Sequence, residues 1–259
     1  MRGLTILAPE GINSTVAGSQ VAIDQFKNEI QSLLGISDLS FKDSECQKMP
    51  FRWVQIERRN EIVGLKRPDL TPDTINNNHL SPQEWNEIIN SPDPKTIIDT
   101  RNRYETKLGI FKGAVDPNLS HFSQWSEYLD KTELPKDQPL LIYCTGGIRC
   151  EKAIIEMQNR GYENVYQLRD GILGYLEKFP NGSFEGECFV FDDRVAVDKD
   201  MQPTTRYGIC PGCGLTADDK IECVICKKSF VVCEECKPNR PPVCSKPCKD
   251  KIRQKRSVV

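Results

Sequence analysis

The sequence predicts an α/β protein: a parallel-sheet domain, preceded by a small α+β domain and followed by a cysteine-rich zinc module. Three observations carry this. Between residues 96 and 178, short apolar runs alternate with helical patterns, as in a parallel sheet covered on both faces. Residues 1–57 read as two strands, a helix and a third strand. From about residue 205, cysteine pairs, Gly and Pro replace large apolar side chains.

The length of 259 residues suits about two domains of the usual ~100–200 residues. A net charge of -2 gives no global attraction for nucleic acid, so any polyanion site must be local. No apolar run approaches the ~20 residues that span a bilayer. The start MRGLTILAPEG meets a carboxylate too early for a signal peptide. Together with paired cysteines, which in a cytosolic chain read as metal ligands, this places the protein in the cytoplasm and away from membranes.

In the small domain, LTILA (4–8) and NSTVA (13–17) are strands joined by PEGI. Apolar residues at Val21, Ile23, Phe26, Ile30, Leu33 and Leu34 recur at helical spacing, and Gly35 stops the helix. FRWVQIE (51–57) alternates as a strand. Residues 58–80, polar and turn-rich with Pro68 and Pro72, read as a linker. The central domain is expected over 81–186. It opens at Ser81-Pro82-Gln83-Glu84 with an N-cap, a proline at the first helical position and an acid behind it. Strands follow at 96–99, 140–144 and 164–168, and helices at 122–130, 150–160 and 171–178. Residues 187–204 read as a connector to the metal module, 205–259, which ends in a solvated basic tail.

The chemistry concentrates in Cys144-Thr145-Gly146-Gly147-Ile148-Arg149-Cys150. A buried strand delivers Cys144 to the sheet edge where ligands bind in open α/β folds. Gly146 and Gly147 let successive N–H groups, with those of Thr145 and Ile148, curl into one anion-binding concavity. The following helix N-terminus and Arg149 add positive charge. All three favour the thiolate, the nucleophilic form. The spacing CxxxxR is one residue shorter than the CxxxxxR loop of tyrosine phosphatases, so a phosphate cradle of that type is too tight here. Cys150 either resolves an oxidised Cys144 as a disulfide or packs behind the loop. Asp99 and Arg101 end the first buried strand on the same sheet edge. They either orient the loop and meet substrate or form a structural ion pair, for instance with Glu105. Cys188 alternates with apolar residues as a packed strand thiol, whereas Cys46, His79 and His121 show no constellation.

This loop, with Ile97-Ile98-Asp99-Thr100-Arg101-Asn102-Arg103-Tyr104-Glu105, Gly109–Ala114 and NVYQLRDG (164–171), resembles a rhodanese domain. The resemblance implies a rhodanese-type fold, with sulfur carried as a persulfide on Cys144. A narrower resemblance extends along most of the chain. Glu10-Gly11-Ile12-Asn13, Ser81–Asn86, DTRNRYE, CTGGIRCEKA and Glu187–Asp192 together look like the rhodanese-containing tRNA uridine hydroxylases. That family implies oxygen-dependent conversion of the wobble uridine to 5-hydroxyuridine, with tRNA bound at its anticodon region and molecular oxygen as co-substrate. It also implies a further strand and helix before LTILA, so that the small domain either starts late or is incomplete. No flavin motif, nicotinamide fingerprint or redox-metal constellation is visible.

Four cysteine pairs occupy the last module: Cys210/Cys213, Cys223/Cys226, Cys233/Cys236 and Cys244/Cys248. Two pairs complete one tetrahedral thiolate site, so eight cysteines hold two structural zinc ions. Consecutive and cross-brace pairings both satisfy this. The short spacers and the apolar stretch before Cys233 favour the cross-brace. Residues 206–259 carry twelve Lys/Arg against six Asp/Glu, and eight thiolates with two zinc ions leave about +2. The basic end meets phosphate backbones or only keeps the module solvated. Three functions therefore compete: a tRNA hydroxylase using Cys144, a sulfurtransferase carrying a Cys144 persulfide, and a non-catalytic adaptor, against which the intact Cys144 loop argues.

Overall fold

The computed structural model describes residues 1–72 and 78–256, of which 253–256 are described as backbone only. Residues 73–77 of the expected linker and the last three residues of the tail lie outside it.

Strand β1 (Arg2–Ala8) pairs antiparallel with β2 (Gly11–Ala17) and parallel with β3 (Val54–Arg58), and helix α1 (Gln20–Leu34) connects them. The Ser19 hydroxyl accepts the Ala22 N–H at the start of α1, and Gly35 closes it at φ 67°, a left-handed conformation that costs glycine little. The apolar positions of α1 do not form a buried face. Val21 is 78% and Leu33 81% exposed, and Trp53, Val54 and Ile56 at β3 are also exposed.

The central domain holds β4 (His79–Leu80), α2 (Pro82–Asn90), β5 (Thr96–Asp99), α3 (Arg103–Thr106), β6 (Gly109–Phe111), α4 (Trp125–Lys131), β7 (Leu140–Tyr143), α5 (Ile148–Asn159), β8 (Val165–Leu168) and α6 (Gly171–Lys178). Its sheet has the order β4-β8-β7-β5, all parallel. The Ser81 hydroxyl and the Glu84 carboxylate cap α2 reciprocally, satisfying two orphan N–H groups. Alternation along β7 divides the core. Leu140, Ile142 and Cys144 face Trp125 and Leu129 of α4 and Ala153, Ile154 and Met157 of α5. Leu141 and Tyr143 face Trp85 of α2 and Ile172, Tyr175 and Leu176 of α6. Each such fully buried large side chain contributes about 1.5–3 kcal/mol.

Two stretches read as connections belong to this core. Leu65 and Leu70, in the segment read as a linker, are 1% and 5% exposed and pack with α4 and α5, and His79–Leu80 form β4. Polar neighbours hide these few apolar anchors from a composition reading. The expected connector 187–204 likewise carries β10 (Cys188–Phe189) and β11 (Ala196–Val197), which follow β9 (Phe184–Gly186) and are buried. Cys188, Val190 and Val197 join the α6 side of the core.

The last module has two hairpins, β12 (Gly208–Ile209) with β13 (Thr216–Ala217) and β14 (Asp219–Glu222) with β15 (Ser229–Val232), then α7 (Cys236–Asn239) and α8 (Lys246–Arg256). The expected frayed tail is this last helix. Cys248 anchors it, with Ile252 packed against the same cluster.

Candidate active site and metal clusters

The Cys144 loop is shaped from both sides. The N–H groups of Ile172 and Leu173, at the start of α6, donate to the carbonyls of Cys144 (3.0 Å) and Thr145 (3.1 Å). These carbonyls are thereby turned toward α6, and the loop's own amides turn inward. Gly171 is required there, because a Cβ would meet the Cys144 carbonyl oxygen at 2.4 Å. The Gly147 N–H donates to Cys144 Sγ at 3.1 Å, from a φ of 94°. The Cys150 N–H donates to the Gly147 carbonyl at 3.0 Å, and the amides of Arg149 and Cys150 both favour the thiolate. Helix α5 starts at Ile148, two residues before the expected start, so Arg149 and Cys150 belong to its first turn.

Burial raises the pKa of Cys144. The Cys150 thiol, the Arg149 charge and the Arg149 and Cys150 amides outweigh it and bring the thiol down to about 5. Cys150 is pushed the other way by burial and by the sulfur it donates to, so it stays a thiol. The difference absorbance of wild type against Cys144→Ala is expected to show a thiolate signal that is already complete below the ordinary thiol range and is lost as pH falls through about 5. Cys150→Ala should move that midpoint upward. A midpoint near the ordinary value of about 8.5 in wild type would remove the electrostatic argument for the loop.

Arg149 reaches Glu105 with a two-pronged pair, Nη1 to Oε1 at 2.5 Å and Nη2 to Oε2 at 2.7 Å. The Thr145 hydroxyl donates to the same carboxylate at 3.2 Å. Burial raises the Glu105 pKa, but Arg149 more than reverses this and holds the carboxylate ionised. Sequence reasoning offered Glu105 only as an ion-pair partner for the strand end that carries Arg101. Its place at the end of a short helix over the loop is a long-range contact with no local signal. Glu105→Ala leaves a buried guanidinium unpaired, and an expected cost of about 3–5 kcal/mol follows. Urea unfolding followed by tryptophan fluorescence measures it.

Other expected site residues fall differently. Asp99 and Arg101 pair with each other, Nη2 to Oδ2 at 2.7 Å, both side chains 0% exposed. Arg101 also donates to the Gly109 carbonyl at 2.5 Å. They form the structural pair, between two residues of short sequence separation, and brace the strand end against β6. Cys188 is buried and its thiol is pushed up to about 12, first by burial. Cys46 is exposed. His79 Nε2 lies 2.9 Å from Glu151. The Cys144 residue itself is fully buried, where the sequence suggested a sulfur open to substrate. On the outer side of the loop, a Cβ at Gly146 would meet nothing within 4 Å, Ile148 is 37% exposed, and Lys42 donates to the Gly146 carbonyl at 2.9 Å. Phe191, 60% exposed, lies with its ring 5.7 Å from the Arg149 guanidinium.

In the last module, Cys210, Cys213, Cys233 and Cys236 converge, as do Cys223, Cys226, Cys244 and Cys248. Within each group all ligand atoms lie within 4.8 Å of one another. Sulfur separations of 3.6 Å (Cys213–Cys233) and 3.4 Å (Cys226–Cys244) approach the roughly 3.8 Å of a tetrahedral zinc–thiolate site. The first pair thus meets the third, and the second meets the fourth. All eight are free thiols. The donor sets fit two zinc ions, held by four sulfurs each and therefore without an open catalytic position.

A parallel sheet ending in a glycine-lined cysteine loop defines a rhodanese-like domain, and the rhodanese-like domain model matches residues 81–178. The UPF0176 acylphosphatase like domain model matches residues 1–62, and the Rhodanase C-terminal model residues 185–249. Among curated relatives, the tRNA uridine(34) hydroxylase of Bdellovibrio bacteriovorus is 48% identical over 237 residues, spanning 91% of this chain and 68% of the relative. That of Picosynechococcus sp. is 41% identical, over 84% of this chain and 74% of its own. That of Wolbachia pipientis subsp. Culex pipiens is 38% identical, over 92% and 84%. The chain belongs to the tRNA uridine(34) hydroxylase family.

Proposed function

We propose that the protein hydroxylates the wobble uridine of tRNA at carbon 5, with Cys144 as nucleophile and molecular oxygen as oxidant. The observation that supports this best is the Cys144 sulfur accepting the Gly147 N–H at 3.1 Å beside the Glu105-held Arg149, surroundings that favour its thiolate, in a chain that aligns with tRNA uridine(34) hydroxylases over most of its length. Uracil carbon 5 is a poor nucleophile until something adds to carbon 6. The Cys144 thiolate forms the S–C6 bond, and the ring's π pair moves to the carbonyl oxygen as an enolate. The loop amides and Arg149 stabilise that charge as an oxyanion hole would. Carbon 5 then takes up one oxygen atom. Loss of its proton expels Cys144 and restores the ring. The second oxygen atom leaves as water, using two electrons and two protons from an external reductant.

For the base to reach the buried sulfur, the loop at Gly146 must open. The anticodon region of tRNA is the substrate portion. The zinc module, with two zinc ions, is the structural support that presents it. Twelve unpaired cysteines suit a reducing compartment, the cytoplasm, and no described helix is long and apolar enough to cross a membrane. The test is nucleoside mass spectrometry on tRNA from cells lacking the gene. 5-Hydroxyuridine and its derivatives are expected to fall and to return with the wild-type gene. Unchanged levels, in cells without a parallel pathway, would end this reading.

A further inference from the structure

We propose that Lys42, carried by the N-terminal domain onto the rim of the Cys144 loop, contacts a phosphate of the substrate strand, and that Asp170 holds its place in the free protein. This rests on the reading of the substrate as a uridine in RNA. Lys42 Nζ lies 2.8 Å from Asp170 Oδ1 and 2.9 Å from the Gly146 carbonyl oxygen. These contacts use two of the three donors of an ammonium, and the side chain stays 57% exposed, with Asp170 at 43%.

The position is built. Next to Lys42, Asp43 pairs with Lys27 at 2.5 Å, and the same ammonium lies 5.3 Å from the Phe41 ring. Further along the segment between α1 and β3, the Pro50 carbonyl accepts from the Asp193 N–H at 2.8 Å, and Arg52 pairs with Asp193 at 3.0 Å. The nearby buried cations are committed: Arg149 to Glu105, Arg101 to Asp99, and Lys152 to Glu10 and Glu61 at 2.7 Å each. Lys42, by contrast, stays exposed at the rim of the loop.

A nucleotide whose base reaches the sulfur beneath Gly146 leaves its two flanking phosphates outside, at this rim. An exposed ion pair contributes little, so trading the Asp170 carboxylate for a phosphate costs little. A lysine serves a phosphate well as a mobile point charge. The trade also releases Lys42 from the Gly146 carbonyl, where the loop must open.

The test uses the full chain and an anticodon stem-loop RNA with uridine at the wobble position, titrated over a salt series. For Lys42→Met, the slope of log affinity against log salt should fall by about 0.7, the value for one phosphate on a single strand. A methylphosphonate beside the wobble uridine should weaken wild type several-fold and leave Lys42→Met unaffected. Asp170→Asn should bind more tightly than wild type, and Lys42→Met in that background should cancel the gain. The Cys144 thiolate absorbance should be the same in all variants, since these side chains are exposed. If wild type binds with the full phosphate dependence and Lys42→Met matches it in slope and methylphosphonate penalty, the Lys42 assignment is overturned alone. If wild type shows no preference for the uridine loop over a cytidine loop, the substrate reading falls and this proposal with it.

Discussion

Cys144→Ala is expected to lower 5-hydroxyuridine formation by at least about 10³-fold, since it removes the nucleophile on which the chemistry rests. The cradle survives, because its amides are set by α6 and by Gly147 rather than by the sulfur. RNA binding should therefore change little. Cys144→Ser should fare no better, because an alcohol in the same cradle does not ionise near neutral pH. The readout is nucleoside mass spectrometry on tRNA from complemented cells, with the level of each variant protein checked. A Cys144→Ala enzyme with near-normal product would remove the nucleophile assignment.

The second large effect concerns stability. Cys210→Ser should drop the zinc content from two to one per chain and unfold residues around that cluster. The cysteines are themselves much of the module's interior. One of its clusters consists of Cys210, Ala217, Val232 and Cys236, and the other of Cys223, Val243 and Cys248. So little apolar burial cannot hold the module without metal, whereas a structural zinc contributes about 10–16 kcal/mol. Limited proteolysis should cut beyond about residue 206 in this variant or after chelation, and leave residues 81–178 protected. The loss should also reach the site. Thr216 in β13 donates to the Tyr104 carbonyl at 3.1 Å, next to Glu105, the partner of Arg149. A metal-free protein with unchanged protease resistance would show that the clusters are dispensable for folding.

What was legible in the sequence was what is local along the chain. The strand, the Gly-Gly turn and the helix around Cys144 lie within a dozen residues, and each has its own signature. The Ser81–Glu84 cap and the spaced cysteine pairs are similarly short. Hidden features depend on contacts across long separations. Lys42 meets a loop 104 residues away, and Glu105 meets Arg149 from 44 residues away. The 58–80 segment looks polar, yet it contributes Leu65 and Leu70 to the core and Glu61 to the buried Lys152. Isolated apolar residues leave no periodic trace, and β4 has only two residues. The fate of Asp99 and Arg101 was open because strand-end position says which sheet edge a residue reaches, not whether its charge is already paired.

A stem-loop RNA carrying 5-fluorouridine at the wobble position probes the chemistry itself, because fluorine at carbon 5 blocks the proton loss that would expel the cysteine. After incubation under air with the full-length protein, denaturing electrophoresis should reveal a covalent protein–RNA band whose cross-linked peptide contains Cys144, and Cys144→Ala should abolish it. No such band, together with a Cys144 peptide heavier by one sulfur atom during turnover of ordinary RNA, would contradict direct addition of the thiolate.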